Sequence, residues 1–456
     1  MLLRLEEKIS SNVLHRQLGG APARAVAAKG VYIFTEEGRA ILDGSGGAAV
    51  SCIGHSNAEV IEAIAKQASE LAYAHTGFFT SRPAEELADL LVGDRPGGLV
   101  RAAFVAGGSE GVEASLKLAR QYFVEIGEPD RTHFISRRQS YHGATLGALA
   151  LGHNRGRRDL HLPLLSDCFS HVSAANAYRD QRDCEPESAY VERLIAEIEG
   201  QFERIGPRRV IAFVAEPVVG ATSGAVPAPA GYFPRVREIC DRHGALLILD
   251  EIMCGMGRIG SQHAWQQIGV VPDIEIVAKG LAGGYQPIGA VLVSDKVMRA
   301  FERSGSAFQH GHTYMAHPIA CAAALTVQSI IRRDKLIERV RTLGDRLEAG
   351  LRTALGQHPH VGDIRGRGLL QGVEIVKDRD SKEPFNPALN VHARLKAAAM
   401  ERGLACYPSG GTADGLLGDH VLLAPPFISE FEHIDLIVEI LADSIDSVTR
   451  SIDEIS

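Results

Sequence analysis

The sequence lacks an excess of positive charge, because its 48 lysines and arginines are outnumbered by 56 aspartates and glutamates, for a net charge of −8. Affinity for nucleic acid or for anionic membranes needs a basic excess or a basic stripe. No apolar run reaches membrane-spanning length, and the first residues lack the apolar core and cleavage site of a signal peptide. These absences argue against nucleic-acid and membrane partners and favour small-molecule chemistry.

Cysteine pairs with metal-binding or redox spacing are also missing. The seven cysteines are odd in number and scattered, without a CxxC or CxxH motif. Such cysteines are typical of small buried hydrophobic side chains rather than of zinc ligands or redox pairs. We therefore expect a cytoplasmic protein in a reducing compartment, with no metal site.

The length and composition predict a globular protein of more than one domain. A chain of 456 residues exceeds the size at which a single hydrophobic core keeps growing. We expect an N-terminal segment over residues 1–60 that packs with a small domain, a large domain over 61–330, and the small C-terminal domain over 331–456. This arrangement leaves room for an active site between domains.

Six short apolar runs predict buried strands of an α/β fold. They are Ala102 to Ala106, His133 to Ser136, Val210 to Ala215, Ala245 to Leu249, Ile274 to Ala278 and Gly289 to Val293. Between the first two runs, Val112, Leu116, Ala119 and Phe123 recur at helical spacing and form one apolar stripe. Alternating strands and helices predict a mostly parallel sheet flanked by helices.

The last two runs break this alternation. The segment GLAGGYQPI between Ala278 and Gly289 is too short and glycine-rich for a crossover helix, so we expect an antiparallel hairpin and a mixed sheet. After Pro318 comes a long helical stretch, followed from about Val361 by strand-like segments and two further helices. This part is typical of a smaller α+β domain.

Two polar side chains follow predicted strands, at the edge where α/β sheets place ligand sites. Asp250 comes directly after an apolar strand in LLILDEIMCGMGRIG, and Lys279 follows another strand in IEIVAKGLAGGYQPIGA. Burial lowers the pKa of an amine, as a Schiff-base nucleophile requires, and nearby glycines let the backbone approach a ligand. Alone, Asp250 could equally cap a helix, and Lys279 could lie solvated in a surface loop.

Three other segments carry candidate ligand groups. In AFVAGGSEGVEASLKLAR, a strand, a Gly107–Gly108–Ser109 turn and a helix form a phosphate-binding pattern, unless Ser109 only caps the helix. Tyr141 and His142 in SRRQSYHGATLGAL follow the next strand, where an aromatic face could stack on a planar cofactor, although such a dipeptide is also common in cores and turns. Thr313 in HGHTYMAHP is a candidate hydroxyl, or a helix cap.

In this order, the segments resemble those of the class III aminotransferases, the ω-aminotransferase family of pyridoxal-phosphate enzymes with fold type I. The match extends from about Leu42 to about Ser429. The resemblance implies that Lys279 forms the internal aldimine and moves the proton between substrate and cofactor carbons. It also implies that Asp250 pairs with the protonated pyridine nitrogen and keeps the ring electron-withdrawing.

The resemblance assigns the other cofactor contacts by position. Tyr141 and Ile252 would sandwich the ring, while Gly108 and Ser109 would hold the phosphate. Thr313 would reach the phosphate of a neighbouring subunit, so a homodimer or a dimer of dimers is implied. Glu216, in EPVVGATSG, matches a family carboxylate near the cofactor.

The implied reaction is a ping-pong transfer of an amino group from an ω-amine or ω-amino acid to a keto acid, with pyruvate favoured as the acceptor. Two arginines that many members carry are missing: Ala144 follows YHG, and Gly415 lies before GDH. Another arginine could bind the acceptor carboxylate, or small keto acids could be poor acceptors. An aminomutase, a decarboxylating transaminase and a non-catalytic binding homologue remain alternatives. Phe78 and Phe79 could line the substrate pocket or a dimer interface.

Overall fold

The computed structural model describes residues 11–16 and 22–454. Within these ranges, the strands in chain order are β1 Ala25–Lys29, β2 Tyr32–Thr35, β3 Ala40–Asp43, β4 Leu99–Val105, β5 His133–Arg137, β6 Phe169–Val172, β7 Val210–Ala215, β8 Val218–Val219, β9 Val226–Pro227, β10 Leu246–Asp250, β11 Ile274–Val277, β12 Gly289–Ser294, β13 Val361–Arg367, β14 Leu370–Ile375, β15 Leu404–Ala405, β16 Tyr407–Gly410 and β17 Asp419–Leu423.

The helices in chain order are α1 Gly46–Ala49, α2 Ala58–Glu70, α3 Arg82–Val92, α4 Gly108–Glu125, α5 Leu146–Leu151, α6 Arg155–Arg158, α7 Ala177–Asp180, α8 Glu187–Ile205, α9 Tyr232–His243, α10 Trp265–Ile268, α11 Asp295–Ser304, α12 Pro318–Arg333, α13 Leu336–Leu355, α14 Val391–Glu401 and α15 Phe431–Asp453. None of the helices in the described part of the chain combines the length and the apolar character that crossing a bilayer requires.

A seven-stranded mixed sheet forms the centre of the protein, in the order β4-β12-β11-β10-β7-β5-β6. The pairs from β11 to β6 are parallel, whereas β12 runs antiparallel to both β11 and β4. The predicted mostly parallel mixed sheet is therefore confirmed, as is the antiparallel β11–β12 hairpin. Every residue of β7, β10, β11 and β12 is buried, which explains why these strands are continuous apolar runs.

Helix α4 covers one face of this sheet with the apolar stripe that the sequence predicted. Its residues Val112, Leu116, Ala119 and Phe123 are buried and belong to a hydrophobic cluster with strands of the sheet. The helix begins directly after β4, so its N-terminus lies at the carboxyl edge of the sheet.

The predicted long helical stretch after Pro318 is two helices rather than one. Helix α12 ends at Arg333 and α13 begins at Leu336, because Lys335 adopts the left-handed backbone conformation with φ +52°. The break turns the chain so that α13 packs on α15 and on the β13-β14-β17-β16 sheet.

The N-terminal strands lie against the C-terminal part of the chain. Strand β3 pairs with β15, and Val31 and Leu42 share one hydrophobic cluster with residues of α13, α14 and α15. The exact division of the chain at residues 60 and 330 remains a prediction.

A buried ionic cluster joins the C-terminal sheet to the large part of the chain. Glu374 on β14 is fully buried and accepts a hydrogen bond from Arg179 Nε at 2.6 Å, while Nη1 of Arg365 lies 2.5 Å from its other oxygen. Arg365 also donates to the carbonyl oxygen of Gly224 at 2.9 Å. Glu374 thus pairs with two cations, of which Arg365 also pairs with the carboxylate of Asp363 at 3.0 Å.

Glu374→Gln should lower the free energy of unfolding by about 3 to 5 kcal/mol, because it keeps the side-chain shape but removes the carboxylate that pairs with Arg179 and one of the two that pair with Arg365. Urea denaturation followed by fluorescence measures this change. Glu383→Gln is the matched control, since its partner Lys377 and Glu383 itself are both more than half exposed; we expect a change below about 1 kcal/mol. Equal changes in the two variants would contradict a supporting role for this cluster.

Candidate functional site

A cavity of about 580 Å³ opens at the carboxyl edge of the central sheet. This volume lies in the range that holds a small ligand or a cofactor. Its lining includes seven of the eight residues predicted from the sequence, namely Gly108, Ser109, Tyr141, Glu216, Asp250, Ile252 and Lys279. Segments far apart in the chain therefore meet in one site, as the strand-end pattern predicted.

The N-terminus of α4 forms one wall of the cavity. Gly107, in extended conformation, precedes the helix, and the first-turn amides have no partner within the helix, so this wall suits an anion. A Cβ on Gly108 would lie 2.9 Å from Cδ1 of Ile252, so a larger residue there would displace the Ile252 side chain. Ser109 does not cap the helix: it lies in the first turn, and its Oγ accepts a hydrogen bond from the backbone N–H of Ala144 at 3.0 Å.

Asp250 is the last residue of β10 and forms the buried floor of the site. Its Oδ1 accepts the backbone N–H of Ile252 at 3.1 Å, and its Oδ2 lies 2.8 Å from Nδ1 of His142. A carboxylate facing Nδ1 makes this nitrogen the proton donor. Since residues 252–259 form turns, Asp250 does not cap a helix.

His142 is a candidate of the sequence, but its contact with Asp250 was not predicted. The residue stood next to Tyr141 in the YHG segment, but nothing in the sequence linked it to a carboxylate 108 positions away. Its ring is fully buried, and its Nε2 has no hydrogen-bond partner among the described residues. A histidine held in this way fixes the orientation of the Asp250 carboxylate.

The neighbouring carboxylate, Glu251, points away from the cavity. Its oxygens accept the backbone N–H groups of Ala264 at 2.5 Å and Trp265 at 2.7 Å. Burial, reinforced by the nearby carboxylate of Glu275, raises the pKa of Glu251 well above its ordinary value. Of the two adjacent acids, Asp250 therefore lines the site, whereas Glu251 stabilises the backbone at Ala264 and Trp265.

Lys279 extends into the cavity from a short 3-10 turn, Lys279–Leu281, that follows β11. The residue is half-buried and adopts φ +43°, a conformation rare for a side-chain-bearing residue and typical of functional sites. Burial lowers the pKa of its amine, whereas the carboxylates of Asp250 and Glu216 oppose that change. The surface-loop alternative for Lys279 is therefore wrong.

Glu216 lies beneath Tyr141 and holds two backbone segments together. Its Oε1 accepts the N–H of Tyr141 at 3.1 Å, and its Oε2 accepts the N–H of Gly220 at 2.9 Å. Burial raises the pKa of this carboxyl; the negative charge of Asp250 adds to the rise and His142 opposes it. The contacts indicate a positioning role for Glu216.

Thr313 is the predicted site residue that does not line the cavity of a single chain. It is exposed, in the loop before α12, and its carbonyl oxygen accepts a hydrogen bond from the Tyr73 hydroxyl at 2.9 Å. His317, not Thr313, occupies the N-cap position of α12, so the capping alternative is also wrong.

Other lining residues carried no sequence signal. They are chiefly Arg157, Gln286 and Tyr407, together with Arg16 from the described N-terminal segment. Arg157 stood in an RGRR run of the kind expected on a solvated face, yet its guanidinium carbon lies 4.7 Å from the centre of the Tyr141 ring.

Comparison with known proteins identifies the family. Residues 16–445 match the model of the class-III aminotransferases. An uncharacterized aminotransferase of Schizosaccharomyces pombe is 47% identical over 94% of each chain. The chain belongs to the class-III aminotransferase family and is an enzyme of that class.

Solved structures of transaminases confirm the predicted fold. An (S)-enantioselective ω-transaminase from Thermomicrobium roseum is 36% identical with a TM-score of 0.88, over 94% of this chain and 93% of that one. The ω-transaminase from Pseudomonas jessenii in complex with PMP is 31% identical with a TM-score of 0.89, over the same shares. The fold is therefore that of the fold type I pyridoxal-phosphate transaminases.

The lowered pKa of Lys279 predicts unusual reactivity in cofactor-free protein. Because burial favours the neutral amine, acylation of Lys279 by acetic anhydride should reach half of its maximal rate at a lower pH than acylation of exposed Lys66. Peptide mass spectrometry after labelling across about pH 8 to 11.5 measures both profiles at about half-unit intervals, so that the series extends beyond the ordinary lysine pKa of about 10.4.

Asp250→Asn tests whether the Lys279 pKa responds to the neighbouring charge in the expected direction. It removes a negative charge that raises the Lys279 pKa, so the labelling midpoint of Lys279 should fall further, while that of Lys66 stays unchanged. A Lys279 midpoint at or above that of Lys66 would show that the cavity does not favour the neutral amine.

Proposed function

We propose that this enzyme transfers an amino group from an ω-amine or ω-amino acid to a keto acid, pyruvate being the favoured acceptor, with pyridoxal phosphate held in the cavity. One observation carries the proposal: a lysine with a lowered pKa and a buried, histidine-bound aspartate share a cavity whose wall is a helix N-terminus. The lysine amine suits a carbonyl group, the aspartate suits a protonated ring nitrogen, and the helix N-terminus suits a phosphate.

The residues fit the cofactor at each of its three polar ends. Free amides of the first turn of α4, with the Ser109 hydroxyl, would hold the phosphate, and the bare Cα of Gly108 leaves room for it. The Asp250 carboxylate would hold the ring N–H, because His142 and Ile252 occupy only part of its acceptor capacity. Tyr141 and Ile252 would contact the two ring faces.

The chemistry follows from what these groups hold and move. When bound, the cofactor supplies an electron-withdrawing ring that accepts the electron pair left as the substrate C–H bond breaks. Lys279 would take that proton on its ε-amino group and return it at the other carbon, since its amine is neutral more readily than an exposed one. Glu216 would keep Tyr141 in place through its backbone N–H.

A two-step test of amino transfer decides the activity. Purified enzyme is first given diamines, ω-amino acids or aryl amines alone, and then pyruvate or 2-oxoglutarate, with product measured after each step. We expect about one equivalent of carbonyl product before the acceptor is added, and sustained turnover afterwards, as ping-pong transfer requires. Lys279→Ala should lower turnover by about 10²- to 10⁴-fold, while Lys66→Ala should leave it unchanged.

The same test distinguishes the alternatives. Sustained turnover without a keto acid would indicate an aminomutase, and release of CO₂ from the donor would indicate a decarboxylating transaminase. No transfer with any donor and acceptor, or full activity in Lys279→Ala, would contradict the proposed function.

We also propose that the enzyme acts as a homodimer. Phe78 and Phe79 are 80% and 66% exposed and do not line the cavity, and nearby Tyr314 is 60% exposed next to Thr313. Tyr73 connects these segments, because its ring lies 6.2 Å from that of Tyr314 and its hydroxyl donates to Thr313. An exposed aromatic surface of this kind is typical of an interface.

Phe78→Asp combined with Phe79→Asp should convert a dimer into a monomer, since two carboxylates would be buried without partners. Light scattering after size-exclusion chromatography measures the mass. Val26→Asp alters a side chain of similar exposure (63%) on β1 and should leave the dimer intact. A wild-type protein that is monomeric at micromolar concentration would contradict the proposal.

A further inference from the structure

The loop of residues 411–418 has no space for a side chain at Gly415. Gly415 has φ +95°, and a Cβ there would lie 2.7 Å from the backbone nitrogen of Arg155. The N–H of Gly156 donates to the Gly415 carbonyl at 3.1 Å, so this loop and α6 are in direct backbone contact. An arginine side chain at position 415 would therefore clash with α6 in its present position.

Helix α6 is held at the edge of the cavity by this contact. Nε2 of Gln139 donates to the carbonyl oxygens of Gly411 at 2.8 Å and Thr412 at 3.1 Å, which fixes the loop from its other side. Gly415 N–H closes the loop on Gly411 O at 2.9 Å. The position of α6 therefore depends on a hydrogen-bonded, glycine-containing loop.

Among the three arginines of α6, only Arg157 lines the cavity. Arg155 is exposed and pairs with Asp159 at 3.2 Å. Burial lowers the pKa of Arg158, which lies near His153 and His171. Arg157 packs over the Tyr141 ring and, within the described part of the chain, has no ion pair or side-chain hydrogen bond.

The positive charge of Arg157 acts on the amine of Lys279. Burial is the main cause of the lowered pKa of Lys279, and the Arg157 guanidinium adds a smaller contribution in the same direction. An unpaired, half-buried guanidinium in a cavity is favourable mainly when an anion can join it, and its planar donors match a carboxylate in bidentate fashion.

We propose that Arg157 binds the carboxylate of the keto acid acceptor and so selects acceptors with a carboxylate next to the reacting carbonyl. The proposal rests on the proposed amino transfer and names its substrate-selecting residue. Amine donors without a carboxylate make no such contact. The two half-reactions should therefore respond differently to a change at position 157.

Arg157→Gln in the holoenzyme tests this difference. With a monoamine donor such as benzylamine, the KM for pyruvate should rise about 10- to 100-fold, as expected for loss of a hydrogen-bonded charge. The KM for benzylamine should change less than about twofold. Arg157→Lys, which keeps the charge but loses the bidentate geometry, should give an intermediate KM for pyruvate.

Calorimetric titration with isobutyrate, an unreactive carboxylate, provides a readout independent of turnover. Its Kd should rise by a similar factor of about 10 to 100 in Arg157→Gln. Arg155→Gln, which changes the neighbouring paired side chain, is the matched control and should leave both quantities unchanged.

Three results would overturn the inference. They are an unchanged KM for pyruvate in Arg157→Gln, equal effects on pyruvate and benzylamine, and a rise confined to Arg16→Gln, which would assign the carboxylate to the other arginine of the cavity lining. Absence of amino transfer in the wild type would instead contradict the proposed function. Isobutyrate binding would then still decide whether Arg157 holds a carboxylate.

Discussion

The pairing of buried charges at one sheet edge is the constraint on which the site depends. Charged groups removed from water need partners, or they become neutral. Asp250 receives two such partners, the His142 ring and the Ile252 N–H, and therefore needs little from a ligand to remain in place. Lys279 has no hydrogen-bond partner for its amine among the described residues, and burial favours its neutral form.

Close packing against a glycine, which has no side chain, complements this charge pairing. The Ile252 side chain packs so closely on Gly108 that an added Cβ would displace it, and the Ile252 N–H donates to the Asp250 carboxylate. One residue therefore contacts two walls of the cavity. Glu216 also connects two segments of the lining, because its two oxygens accept the backbone N–H groups of Tyr141 and Gly220. The walls of the cavity are thus fixed by the same residues that fix its polar groups.

Much of this arrangement could be predicted from local sequence patterns. Continuous apolar strands, the short connection after Ala278 and the strand-end positions of Asp250 and Lys279 all depend on neighbours within a few residues. The contact between His142 and Asp250 could not be predicted, because the two residues are 108 positions apart and no local pattern links them. The helix break at Lys335 depends on one left-handed residue that the apolar periodicity does not reveal.

Arg157 shows why substrate selection is harder to predict than cofactor chemistry. The cofactor site is built from residues at strand ends, where sheet geometry limits the positions of side chains. Arg157 instead depends on a backbone contact between the four-residue helix α6 and the 411–418 loop, and neither segment has an apolar periodicity. The groups for chemistry and for selection therefore come from different structural elements, and we infer that one can change while the other is retained. Gly415 allows α6 to lie against this loop, and the position of α6 places Arg157 in the cavity lining.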